Sequence, residues 1–171
     1  MDTRKRRVLG VVFVVLLVFA AGTVHGFGGG DEYPSWTYDV GAGSGYSSDG
    51  GFAELNVGLN THFTAWLTWR NAGFYRSMFD DDDYFGGDTS VLAGWQERVN
   101  GGSVYYQGGG GYRFTSIRRH APFAEAAAGF RSSAFRLGAN VKYILYELIT
   151  DDVDNEIVFS VSVSGRLQGS F

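Results

Sequence analysis

The stretch Phe159–Phe171, FSVSVSGRLQGSF, decides the fold class. Its odd positions read Phe159, Val161, Val163, Gly165, Leu167, Gly169, Phe171, and its even positions read Ser160, Ser162, Ser164, Arg166, Gln168, Ser170. A period of two with one apolar and one polar side is the signature of a strand and excludes a helix.

The same alternation recurs upstream. Trp36, Tyr38, Val40 and Ala42 alternate with Thr37, Asp39, Gly41 and Gly43, and Ala53, Leu55, Val57 and Leu59 with Glu54, Asn56, Gly58 and Asn60. Val104, Tyr106, Tyr112 and Phe114 oppose Tyr105, Gln107, Arg113 and Thr115. Ala124, Ala126, Ala128 and Phe130 oppose Glu125 and Arg131, and Phe135 to Leu145 opposes Arg136, Asn140 and Lys142. Two weaker segments put a polar residue in the apolar phase: Asn71 within 65–77 and Glu97 within 91–99. Together these make eight strands.

Turn residues separate them. Ser48 to Gly51, Asn100-Gly101-Gly102 and Ser132-Ser133 suit tight hairpins. Phe79 to Thr89 reads as a longer loop carrying Asp80 to Asp83. Ser116 to Ala121 and Thr150 to Glu156 read as medium loops.

Composition removes whole classes of function. The 171-residue chain has no Cys, hence no disulfide framework, thiolate zinc site or cysteine nucleophile. With 14 basic against 18 acidic residues, it is a poor nucleic-acid partner.

At the N-terminus, Arg4 to Arg7 precede an uncharged apolar run, Val8 to Ala21, followed by two candidate cleavage points, after Gly22 and after Gly26. This is the layout of a secretory signal peptide. The run is short of the roughly 20 residues of a spanning helix. The expected organisation is therefore a cleaved signal over residues 1–26 and one all-β domain over 27–171.

Eight hairpin-linked strands favour an up-and-down barrel, because closure removes exposed edges. Three features put the apolar face outward, toward lipid. Connections two, four and six are tight, whereas three, five and seven are longer and charged. Beyond residue 26 there is a single Lys, Lys142, and the polar phase is rich in Gly, Ser, Asn and Gln, which suits a narrow lumen and not a solvated surface. The third is the last strand, which ends on Phe171. Trp36, Tyr38, Trp66, Trp69, Trp95 and Phe171 also fall near strand ends on one side, where an aromatic girdle is expected.

Over 57–70 (VGLNTHFTAWLTWR), 105–115, 122–131 (PFAEAAAGFR), 137–143 and the terminal Phe171, the chain resembles the small eight-stranded outer-membrane barrels of the opacity, outer membrane protein X and outer membrane protein A type. That resemblance implies an eight-stranded antiparallel up-and-down transmembrane β-barrel in the outer membrane. Its implied partners are outer-membrane lipids, lipopolysaccharide and the barrel-assembly machinery, with Phe171 as the assembly signal. It also implies a host or envelope ligand at the outer loops, and a structural or surface-interaction role without enzymatic activity. Some barrels of this size are lipid A deacylases or acyltransferases, which is the alternative.

Local motifs add little chemistry. The run Gln107-Gly108-Gly109-Gly110-Gly111-Tyr112 lies in strand phase without the helix N-terminus a phosphate cradle needs. Glycines that let a barrel curve fit better. The carboxylates of 80–83 and of 151, 152, 154 and 156 match no calcium loop and read as solvated. Arg118, Arg119 and His120 form a basic loop between them. Once the signal leaves, only His62 and His120 remain, and neither has a nucleophile and carboxylate at a recognisable spacing. This reading assigns no catalytic residue, no metal site and no cofactor. Eight strands leave an interior that side chains fill, so an open pore is not expected.

In the lumen, a register between the fifth and sixth strands that sets Arg113 opposite Glu125, with Glu125 opposite Lys142 and Arg131 opposite Arg136 across the next hairpin, makes Arg113, Glu125 and Lys142 a row of charges.

Overall fold

The computed structural model describes residues 34–47, 50–79, 81–132, 135–149 and 154–166. Residues 1–26 and Phe171, where the signal peptide and the assembly signal are expected, lie outside them. Eight strands follow one another: β1 (Ser35–Ser47), β2 (Gly50–His62), β3 (Leu67–Met78), β4 (Tyr84–Val99), β5 (Gly102–Thr115), β6 (Ala121–Arg131), β7 (Arg136–Ile144) and β8 (Glu156–Arg166). Each pairs antiparallel with the next, and β8 pairs with β1 to close the barrel.

The pairing also sets the stagger. From Trp36 the partners run Thr61, Trp69, Val91, Gly110, Ala124, Tyr143 and Ile157, and return to β1 at Tyr46, ten positions along. Strands staggered in this way must tilt, by about 35–45° in barrels generally. Residues far apart in sequence therefore reach the same level inside.

The polar phase points in. Asp39, Glu54, Asn60, Thr68, Arg70, Arg76, Asp88, Ser90, Arg113, Glu125, Lys142 and Glu156 are buried, while Val57, Leu59, Val91, Leu137, Val141, Phe159 and Val161 are exposed. Room inside is scarce. A Cβ on Gly58 would stand 1.9 Å from Asp39 Oδ1, and one on Gly138 would stand 2.1 Å from the Tyr105 hydroxyl. The glycine run lies wholly within β5, where a Cβ on Gly109 or Gly111 would meet the carbonyl oxygen of Val91 or Thr89 at 2.0 and 2.1 Å. Only glycine lets β4 approach β5 so closely.

Three expectations change. The loop expected over 79–89 is shorter, because β4 begins at Tyr84. Gly86, Gly87 and Asp88 look like loop residues by propensity, but Asp88 points inward against a base and Gly86 admits the Phe114 carbonyl oxygen. Second, Glu156 leaves the acidic loop: it opens β8 and is 1% exposed.

The third change is the β5–β6 register. Arg113 stands opposite Ala121, and Gly109 opposite Glu125. The cause is a hairpin tighter than its length suggests. Thr115 Oγ1 accepts from the Arg119 amide at 2.9 Å and donates to the Arg119 carbonyl at 2.6 Å. Arg118, at φ 62°, takes the left-handed conformation, and its amide donates back to the Thr115 carbonyl at 3.1 Å. The slip is even, so no side chain changes face. Across β6–β7, Glu125 stands opposite Lys142 and Arg131 opposite Arg136.

Candidate functional site

At the end carrying connections 48–49, 79–83, 116–120 and 145–155 (the loop end), an apolar cluster fills the lumen. It contains Phe52, Phe74, Met78, Tyr84, Ala121, Phe123, Ile144, Tyr146 and Val158. Tyr146 comes from a 3₁₀ turn in the β7–β8 connection, Tyr146–Leu148, tied to β6 by the Leu145 amide donating to the Pro122 carbonyl at 2.9 Å. Burial, with the Glu156 carboxylate adding to it, pushes the Tyr146 phenol above its ordinary range.

Below lie two layers of paired charges. Arg76 donates to Glu54 through Nη2 at 2.8 Å and to Glu156 through Nη1 at 2.6 Å, and also to the Tyr84 hydroxyl. Its guanidinium lies 3.6 Å from the centre of the Phe52 ring. Arg113, fully buried over Phe74, grips both oxygens of Asp88 at 2.8 Å and reaches Glu54 at 3.0 Å. Lys142 donates to the same Asp88. One layer down, Arg70 bonds Asp39 at 3.0 Å and comes within 3.8 Å of Glu125. Asn140 donates to Glu125.

The structure thus places Arg113, Glu125 and Lys142 in the lumen, at 0%, 4% and 5% exposure. The contacts differ from the simple row: Arg113 meets Asp88 and Glu54, and Asp88, not Glu125, joins it to Lys142. Sequence reasoning missed Asp39, Glu54, Arg70, Arg76, Asp88 and Glu156 as members. Arg70 and Arg76 are the inward positions of a strand whose alternation is blurred by Asn71, and that phase was the available signal.

Such a network closes the barrel. Charges in a low-dielectric interior hold only if paired and hydrogen-bonded, and this arrangement fixes β1 to β8 at mutually dependent levels.

The exterior is equally specific. Trp36, Trp66, Trp69, Trp95 and Tyr106 are exposed toward the opposite, turn end, with Trp95 and Tyr106 rings 5.6 Å apart. Tyr46, Phe79, Phe85, Phe114 and Tyr143 are exposed toward the loop end. Between them runs the aliphatic band. The polar Asn71 lies beside Thr89, whose hydroxyl accepts from Trp69 Nε1 at 3.0 Å.

Neither histidine forms a nucleophile–base–acid set among the described residues. Both His62 nitrogens meet threonine hydroxyls, Thr37 and Thr68, at 2.9 Å. His120 Nδ1 accepts from the Thr115 amide. In the acidic loop, Asp83 accepts from Tyr75 at 2.7 Å and Ser77 at 3.0 Å. No metal-ligating cluster occurs among the described residues.

No family model matches the chain, and no curated protein matches it. Solved structures share its fold. The outer-membrane enzyme PagL is 12% identical, with a TM-score of 0.57 over 75% of this chain and 99% of that one. A de novo designed transmembrane β-barrel is 14% identical, with a TM-score of 0.53 over 81% of this chain and 100% of that one. A second designed barrel, TMB2.3, gives 0.50 at 14% identity over 81% and 100%. This is a transmembrane β-barrel fold. It has the architecture of the small eight-stranded outer-membrane barrels, and at these identities the likeness concerns the fold.

Proposed function

We propose that the chain is an outer-membrane protein of a double-membraned bacterium with a non-enzymatic structural or surface-interaction role. It is exported behind residues 1–26 and inserted with the loop end outside the cell. One observation carries this reading: a predominantly apolar exterior surrounds a lumen whose charged side chains bind one another. A surface of that kind suits lipid, and a lumen so filled suits neither diffusion nor a large ligand. What varies with function is then the loop surface, where Asp81 to Asp83 and Arg118 are exposed. Lipopolysaccharide and a host or envelope component are the partners that surface would meet, and the barrel-assembly machinery would act through Phe171.

An epitope inserted at Asp82 tests the orientation. It should be reachable by antibody on intact cells; reachability only after the outer membrane is opened would reverse the topology. A lipid-modifying enzyme is the second reading, favoured by the shared fold with PagL. Lipid A from cells with and without the protein should have the same mass spectrum; a lost or gained acyl chain would replace the structural role with the enzymatic one.

A further inference from the structure

The exterior between the two sets of aromatic rings is lopsided. On β2, β7 and β8 it presents Val57, Leu59, Leu137, Val141, Phe159 and Val161. On β3, β4 and β5 the outward positions include Asn71, Gly73, Gly87, Thr89 and Gly108, with Val91 as the large apolar side chain among them. Trp69 and Trp95 flank this face toward the turn end and Phe85 toward the loop end.

Two features of the face have no cause within the chain. The first is its glycines. Glycines in the inward phase are fixed by contact, as Gly58 is by Asp39 Oδ1 and Gly109 by the Val91 carbonyl oxygen. A Cβ on Gly73, Gly87 or Gly108 would meet its nearest atom at 4.0, 3.5 or 3.8 Å, which is ordinary contact. Glycine inside a strand costs backbone entropy and packing, and it marks places where another backbone comes close. The second feature is Asn71. It stands opposite Thr89, whose hydroxyl is taken by the Trp69 indole. Among the described residues no hydrogen bond engages the Asn71 carboxamide. In a bilayer core no water replaces the missing partner, and a carboxamide both donates and accepts.

Acyl chains supply neither half of that requirement, whereas a second copy of the same residue supplies both. From this we infer that the outward face of β3–β5 is a self-association surface, on which two copies of this chain pair within the bilayer at Asn71. Copies inserted in one orientation close as a pair about a two-fold axis along the membrane normal, which sets the same patch of each at the same depth. Asn71 then meets Asn71, each Nδ2 donating to the other's Oδ1. Bare backbone at Gly73, Gly87 and Gly108 lets two convex barrels approach, as small residues do between spanning helices. The inference rests on the exterior being embedded in lipid, and it does not depend on what the loops bind.

Energy transfer between copies in lipid vesicles is the test. The chain has no Cys, so Asp82→Cys in the exposed loop takes a donor or an acceptor dye. Flotation with the vesicles reports embedding, and heat-modifiable migration on gels reports folding, each independently of association. Transfer should exceed that of randomly distributed barrels and should fall when unlabelled chain is added. Asn71→Leu should weaken association about fivefold, with Asn71→Gln intermediate, and Gly87→Val should weaken it by a similar factor. Val161→Ala, on the strand that lies across the ring from β4, should associate as the parent does. Random transfer by the embedded, folded parent would overturn the proposal and leave the face to lipid or to another protein. Undiminished association of embedded Asn71→Leu or Gly87→Val would overturn it as well.

Discussion

Arg113 and Asp88 face each other across β4 and β5 in a two-pronged ion pair, Nε to Oδ1 and Nη2 to Oδ2, both at 2.8 Å. The same guanidinium reaches Glu54 on β2, across the lumen. One side chain therefore ties three strands.

Removing that base leaves two buried carboxylates with one partner each, Glu54 with Arg76 and Asp88 with Lys142. Arg113→Met should lower stability by about 3–5 kcal/mol, read as the urea unfolding midpoint in lipid vesicles. Adding Glu54→Gln should recover part of the loss. A midpoint within error of the parent would dismiss the network as a stabilising element.

Glu125→Ala should cost less, about 1–3 kcal/mol, because Arg70 keeps Asp39 and Lys142 keeps Asp88. It should still exceed Asp82→Ala in the exposed loop. Equal midpoints for the two would contradict the buried position of Glu125.

Gly58→Ala places a methyl group 1.9 Å from Asp39 Oδ1. Displacing Asp39 uncouples it from Arg70, and overpacking of this kind costs about 1–3 kcal/mol. The same vesicle assay checks it, with Ala53→Gly on the exterior as the comparison.

On the outside, Val161→Arg should cost about 2–4 kcal/mol near the bilayer midplane, since Val161 is 60% exposed on the lipid face of β8. A neutral result in vesicles would mean that this face is not embedded.

The Tyr146 hydroxyl is buried with no hydrogen-bond partner among the described residues. Its phenol is held above the ordinary value, so the neutral form belongs to the folded state. That contribution is whole below the unfolded tyrosine value of about 10 and is lost as pH rises through the folded one. Tyr146→Phe should raise stability by about 1 kcal/mol at neutral pH and flatten the decline above pH 10, measured by unfolding across pH 8 to 12.

Phe171→Ser should lower the amount of folded, heat-modifiable protein in the outer membrane while leaving signal cleavage intact. Unchanged assembly would make Phe171 an ordinary strand residue.

Period-two alternation, present in the sequence itself, was enough to determine eight strands and which side chains share a face, while the connection lengths, the single Lys142 and the last strand turned the apolar face outward. It survives a wrong register: the four-residue displacement between Arg113 and Glu125 left both inside, because side chains repeat every two residues. The hairpin that caused the displacement is closed by the Thr115 side chain, which loop length does not reveal. Membership of the network was half legible. Arg113, Glu125 and Lys142 stood in clean polar phases, whereas Asp88 stood among glycines that read as loop and Glu156 beside solvated acids. Which acid meets which base was decided only by closure and stagger. Arg76 finds Glu156 eighty positions away, and Lys142 finds Asp88 across the lumen, because tilted strands in a closed ring bring distant residues to one level, and pair-by-pair reading of neighbouring strands contains no information about that level.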